Sequence, residues 1–314
     1  MPASYTPDTA VIDTTFQADA FDVLELDVPG AHVRLRPHNE DDRVHLRGTV
    51  PNLETAKAEA LFDRKDISTR PSGDRLHVSG KALSGGVEEW RWRHGHRTAV
   101  RMEVRLPPTL TVTTNTPGGS VDAAHLSGSL SASVRGGSIS ATGLTGPVQI
   151  QGSGGALTMR ECSGPTLNLQ WSAGEVSLIE IEEGATTLRA AAAPTTVQTL
   201  HGPADLSVHG APLTLRDLEG PSEAETQGGA LTYHGAPEDD TSLRAVGAPL
   251  QTHLPSSHAA TLTLAGAQVA LDDRFAFDGE RTARRIEGTL NGGGPSLQLR
   301  AVQGPARCIV KRDA

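Results

Sequence analysis

Aromatic side chains are scarce: 3% of the 314 residues are Phe, Trp or Tyr. That leaves little flat surface on which sugar rings or bases could stack, and it excludes a core built from large rings. Cysteine is scarcer still. Cys162 and Cys308 lie far apart and in no metal-ligand spacing, so neither a disulfide framework nor a zinc site is indicated. Positive charge is in deficit, with a formal net charge of −9, which disfavours non-specific binding to nucleic acid or to an anionic membrane. No apolar run reaches spanning length, and the first twenty residues hold no basic stretch followed by an apolar one. The expectation is no membrane insertion and a cytoplasmic location by default, or the cell envelope if a signal has been removed. G-x-S-x-G, P-loop, dinucleotide and H-E-x-x-H signatures are all missing, so no catalytic residue, cofactor or metal is expected.

What is present is a repeat. A pair of small residues recurs as Gly118-Gly119, Gly136-Gly137, Gly154-Gly155, Ala173-Gly174, Ala193-Pro194, Ala211-Pro212, Gly228-Gly229, Ala248-Pro249 and Ala265-Gly266. The steps between second members are 18, 18, 19, 20, 18, 17, 20 and 17 residues, at the short end of the solenoid range. Two residues past each pair stand Val121, Ile139, Leu157 and Val176; two further come Ala123, Ala141, Met159 and Leu178; seven past the pair come Leu126, Leu144, Cys162 and Ile181. A second half-repeat supplies Leu130 and Val134, Val148 and Ile150, Leu167 and Leu169, then Leu188. Stacked at strand spacing, these columns form aliphatic stripes that no single repeat could bury alone. The pattern predicts an all-β chain, a β-solenoid (β-helix-like) of about nine short two-strand rungs, with corners of Gly-Gly or Ala-Pro.

Ahead of the repeats, residues 1–16 read as a polar tail, loose or pairing at an edge. Residues 17–106 read as a strand-rich N-terminal cap: alternating strands at 21–28, 31–36 and 43–50, further strands at 66–69, 75–79 and 98–106, and one helix. Asn52 is its expected N-cap, and Leu53, Ala56, Ala60 and Leu61 its apolar face as far as Asp63. Repeats occupy 107–273. Residues 274–285 read as a loop or short excursion, and 286–290, with two last strands, completes the 274–314 segment of one continuous domain.

Leu106-Pro107-Pro108-Thr-Leu-Thr-Val-Thr-Thr114 leading into the first Gly-Gly rung, the serial rungs, and the ending Gly292-Gly-Gly-Pro-Ser-Leu-Gln-Leu-Arg-Ala-Val-Gln-Gly304 together resemble the bacterial putative-adhesin family, a domain of unknown function. The resemblance runs from about residue 20 to the end. It implies a β-solenoid and a non-enzymatic role, often at the cell envelope.

Two stretches are candidate interaction sites. Glu88–Arg97 interleaves Trp90 and Trp92 with Arg91, Arg93, His94, His96 and Arg97; it could stack a partner's rings, or alternation could simply turn both tryptophans onto a solenoid end. The second is an acidic edge containing Glu161, Glu180, Glu182 and Glu183, with Asp217, Glu219, Glu223 and Glu225 beyond. Glu161 and Glu180 share a phase and should stack on neighbouring rungs, either as a binding ridge or as a solubilising face. The functional expectation is a non-enzymatic structural or interaction protein with an unidentified protein partner, a monomer or small oligomer through its ends. The alternatives are an enzyme acting on a polysaccharide, with Trp171 near Glu175, or a ligand-binding sensor using Trp90–Arg97.

Overall fold

The computed structural model describes residues 10–38, 42–51, 53, 55–82, 100–182 and 184–311. The chain forms two compact units, Met1–Gly154 and Gly155–Ala314. Both are almost wholly β, and both contain two sheets whose strands are mostly parallel.

In the unit 155–314 the expected columns are present as buried stripes. Leu157 pairs in register with Val176, and Met159 with Leu178, along parallel strands Ala156–Cys162 and Glu175–Ile181. Thr166–Ser172 and Ala185–Ala191 pair likewise in the other sheet, with Leu169 opposite Leu188. Successive strands thus alternate between the sheets, and each meets its equivalent one repeat on. Leu157, Met159, Cys162, Leu167, Leu169, Val176, Leu178, Ile181 and Leu188 are all 0–1% exposed. Each sheet buries one face, as period-2 alternation requires, and the two apolar faces share one core.

The end of this unit departs from chain order. Ser296–Val302 pairs on one side with Thr241–Val246 and on the other with Ala260–Ala265, parallel to both. Pro305–Val310 is held in the same way between Leu250–Leu254 and Gln268–Leu271. The last rung is therefore inserted between the two that precede it. Outside them, Arg285–Leu290 pairs antiparallel with Ala260–Ala265 and with Phe277–Arg281. The segment expected as a loop at 274–285 thus contains an edge strand, Phe277–Arg281. Its sequence, Phe-Asp-Gly-Glu-Arg, carries one apolar residue and so no readable alternation. Gly279 and Gly288 face each other there with no room for a Cβ between the strands.

The unit 1–154 has the same device at its start. Val23–Asp27 lies between Arg75–Ser79 and Thr111–Asn115, and Ala31–Pro37 lies between Val100–Leu106 and Ser120–Ala124, all parallel. Antiparallel strands Ala10–Gln17, on Arg43–Thr49, and Ser68–Ser72, on Arg75–Ser79, end the two sheets. The strand expected at 66–69 begins two residues later, after Asp66 adopts φ +49°. Val121 pairs with Ile139 and Leu130 with Val148, as the repeat predicts.

The helix spans Thr55–Lys65, and its buried face is Ala58, Phe62 and Lys65. Ala56 and Ala60 are exposed, so the expected apolar face is corrected. Phe62 offers far more area than two alanines, and Gly48 leaves the space its ring fills. Lys65 lays its stem along the protein and donates from Nζ to the Pro29 carbonyl at 2.6 Å. The Asn52 cap lies outside the described residues.

Candidate functional site

The outer faces of the sheets carry the polar side chains. Trp90, Arg91, Trp92 and Arg93, with His94 and His96, lie outside the described residues, as does Glu183. Glu161 and Glu180 are exposed on one sheet of the unit 155–314 and stand side by side, and Glu182 is exposed just past the end of the strand Glu175–Ile181. Their neighbours pair as Arg160 with Ile179 and Cys162 with Ile181.

That row is built on a backbone irregularity. Glu161, Glu180, Thr199 and Asp217 all adopt left-handed conformation, with φ of +52°, +55°, +55° and +49°. Each is an extra residue in its strand, a bulge that lets Cys162, Ile181, Leu200 and Leu218 turn inward three residues after the previous inward side chain instead of two. Left-handed backbone is uncommon outside Gly, Asn and Asp, and for β-branched Thr199 it is a real outlier. In the unit 1–154, His125 and Gly143 hold the same conformation, and Gly143 leaves room for the His125 ring. Glu223 and Glu225, read as part of this acidic edge, belong to the other sheet, on Ser222–Gln227.

On that other sheet one outer row runs in register Thr187, Asp205, Glu223, Ser242, Gln298. These residues, with Pro203 and Pro221, line an open groove of about 480 Å³ that crosses five strands. The neighbouring row, Arg189, Ser207, Glu225 and Arg244, carries ion pairs within itself and across to the groove row. Arg189 clamps Asp205 through both guanidinium nitrogens at 2.8 and 2.7 Å, which holds the Asp205 carboxyl below its usual range, and Arg244 meets Glu225 at 3.0 Å. Gln298 and Ser296 reach the groove only because the last rung is inserted, so sequence order alone hides this site. Trp171 does not serve such a surface: it is 2% exposed and faces the core. Among the described residues, no group of three His, Cys, Asp or Glu is placed to hold a metal ion.

The first sheet also carries a titratable pair. His234 and His253, in register on adjacent strands, stack at 4.2 Å between ring centroids. Desolvation lowers the pKa of both; His253, Arg216 and Lys311 lower His234 further, against an opposing effect of Asp217. Half-buried His258 is lowered by desolvation too. Bases with depressed folded pKa values are neutral in both states above the ordinary value near 6.5, so their contribution is complete there. As pH falls through that value the unfolded chain binds protons first, and stability declines. We expect the denaturant midpoint to fall between neutral pH and the carboxylate range, and the fall to shrink in a His234→Gln/His253→Gln variant. A double variant with the wild-type pH dependence contradicts this.

No family model and no curated protein matches the chain. Among solved structures, it is similar to an adhesin titled putative from Parabacteroides merdae, at 12% identity over 96% of each chain with a TM-score of 0.41. It is also similar to one so titled from Bacteroides fragilis, at 11% identity over 95% of this chain and 96% of that one, TM-score 0.38. A protein from Parabacteroides distasonis titled a putative lipid binding protein is 11% identical over 96% of each chain, TM-score 0.36.

Proposed function

We propose that this chain is a non-enzymatic β-solenoid scaffold of about nine two-strand rungs, which presents its outer faces to a protein partner. The observation that carries this reading is the groove along Thr187, Asp205, Glu223, Ser242 and Gln298: a polar strip crossing five strands, open to solvent, on a backbone fixed by parallel ladders on both sides. Such a strip suits an extended partner segment held by many weak polar contacts. The one described tryptophan, Trp171, faces the repeat interior, and no aromatic residue lines the groove, which leaves a sugar ring nothing to stack on there. The antiparallel strands ending the sheets act as caps against edge-to-edge growth. A monomer or small oligomer follows, at the cell envelope if a signal directs it there. No helix among the described residues is long and apolar enough to cross a membrane.

The test is affinity capture from the native host with wild type and a Glu223→Arg/Ser242→Arg variant, both side chains pointing out of the sheet. A specific protein retained by wild type and lost by the variant, at unchanged melting temperature, is the expected result. Equal retention by both overturns the groove as the binding face.

A further inference from the structure

The inserted last rung has a property that the outer faces do not. Ser296–Val302 and Pro305–Val310 fill a slot between two rungs that occur earlier in the chain, 241–254 and 260–271, and pair with both. With the slot empty, each flanking rung would present an unpaired strand edge, which is a template for another strand. The rung enters through Asn291-Gly-Gly-Gly-Pro295. Gly292 and Gly293 adopt φ of +91° and +89°, and a Cβ on Gly292 would meet nothing. Asn291 pins the near end of this hinge by donating from Nδ2 to the carbonyls of Ser256 and His258 at 2.9 and 2.7 Å. Five extended residues span roughly 17 Å, several times the roughly 4.8 Å between neighbouring strands.

We propose that this rung is exchangeable: 296–310 of one copy can occupy the 241–254/260–271 slot of a second copy, giving a strand-swapped dimer. Every contact that holds it in its own chain is remade in the other. Leu297, Leu299, Ala301, Ala306 and Cys308 are buried in the slot at 0–3% exposure. The Ser296 amide donates to Asp240 Oδ1 at 2.8 Å, Thr252 Oγ1 donates to the Arg307 carbonyl at 3.2 Å, and the Val310 amide donates to Asp272 Oδ2 at 3.2 Å. Because the slot's chemistry is the same in both arrangements, hinge strain and protein concentration decide between them, the general condition for swapping. In the exchanged dimer Ser296 and Gln298 of one copy line the groove of the other, and the exchange does not rest on the partner proposed above.

Ser242 and Gln298 are register partners on the outer face, close enough for a disulfide if both are cysteine. Full-length Ser242→Cys chains and Gln298→Cys chains, carrying tags of different size, are mixed in equal amounts, unfolded, refolded together at high concentration and oxidised. The expected result is a reducible covalent heterodimer exceeding that formed when the two folded proteins are mixed without unfolding. No such excess overturns the exchange. In the Ser242→Cys/Gln298→Cys double variant refolded dilute, an intramolecular link is expected; its failure to form overturns the slot itself. Wild type under the same oxidation reports any linkage through Cys162 or Cys308.

Discussion

Truncation after Leu290 is expected to abolish protection from hydrogen exchange across 241–271 while strands between 156 and 209 keep theirs. The missing segment supplies ladder partners to four strands at once, Thr241–Val246, Leu250–Leu254, Ala260–Ala265 and Gln268–Leu271. It also removes Leu297, Leu299 and Val310 from the core. At about 1.5–3 kcal/mol for each large aliphatic side chain buried, that loss alone is comparable with the whole stability of a domain, about 5–15 kcal/mol. Repeats far from the slot survive because each contacts only its neighbours. Retained protection at Leu243 and Leu264 would mean that these strands pair directly and that the slot closes without its rung.

Gly137→Val is expected to cost on the order of 4 kcal/mol or more, in the range reserved for core disruption, and Gly136→Ala only about 1–2 kcal/mol. The two glycines of one corner are constrained differently. Gly136 has φ +75° and open space around its missing Cβ, so alanine there pays only for left-handed backbone. Gly137 does not have positive φ; a Cβ on it would overlap the carbonyl oxygen of Gly119 one repeat earlier. The same overlap occurs at Gly119 with Ala31, at Gly174 with Gly155 and at Gly229 with Ala211. Close stacking of corners, and not backbone angle, therefore fixes Gly119, Gly137 and Gly229, whereas Gly174, at φ +93°, is constrained by both. Melting temperatures of the two variants decide the matter, and equal losses contradict this division.

Much of the fold is legible in the sequence because burial repeats. Val121 with Ile139 and Leu157 with Val176 can be aligned from the small pairs alone, since a two-residue alternation restarts at every corner. The bulge row also left a trace: inward residues fall two, four and seven past each of the first four pairs, and one, three and six past Ala193-Pro194 and Ala211-Pro212, and the odd step from Met159 to Cys162 requires one residue too many for a regular strand. Insertion of the last rung left none, because Ser296–Val302 alternates in the same way whichever strands flank it. The helix is legible to within a few residues and its buried face is not; Phe62 can be oriented only by knowing that Gly48 stands across from it. The acidic edge was half legible. Glu161 and Glu180 share a phase, but assigning Glu223 and Glu225 to the same edge required knowing which strand joins which sheet.

Pulsed inter-spin distances from a label at Asn168 to labels at Ser242, Gln298 and Thr263 test the central arrangement most directly, since all four lie in one outer row. Parallel strands spaced by roughly 4.8 Å place Ser242 four steps away, Gln298 five and Thr263 six, so distances should rise through roughly 19, 24 and 29 Å. Finding Thr263 nearer to Asn168 than Gln298 would restore chain order and contradict the inserted rung.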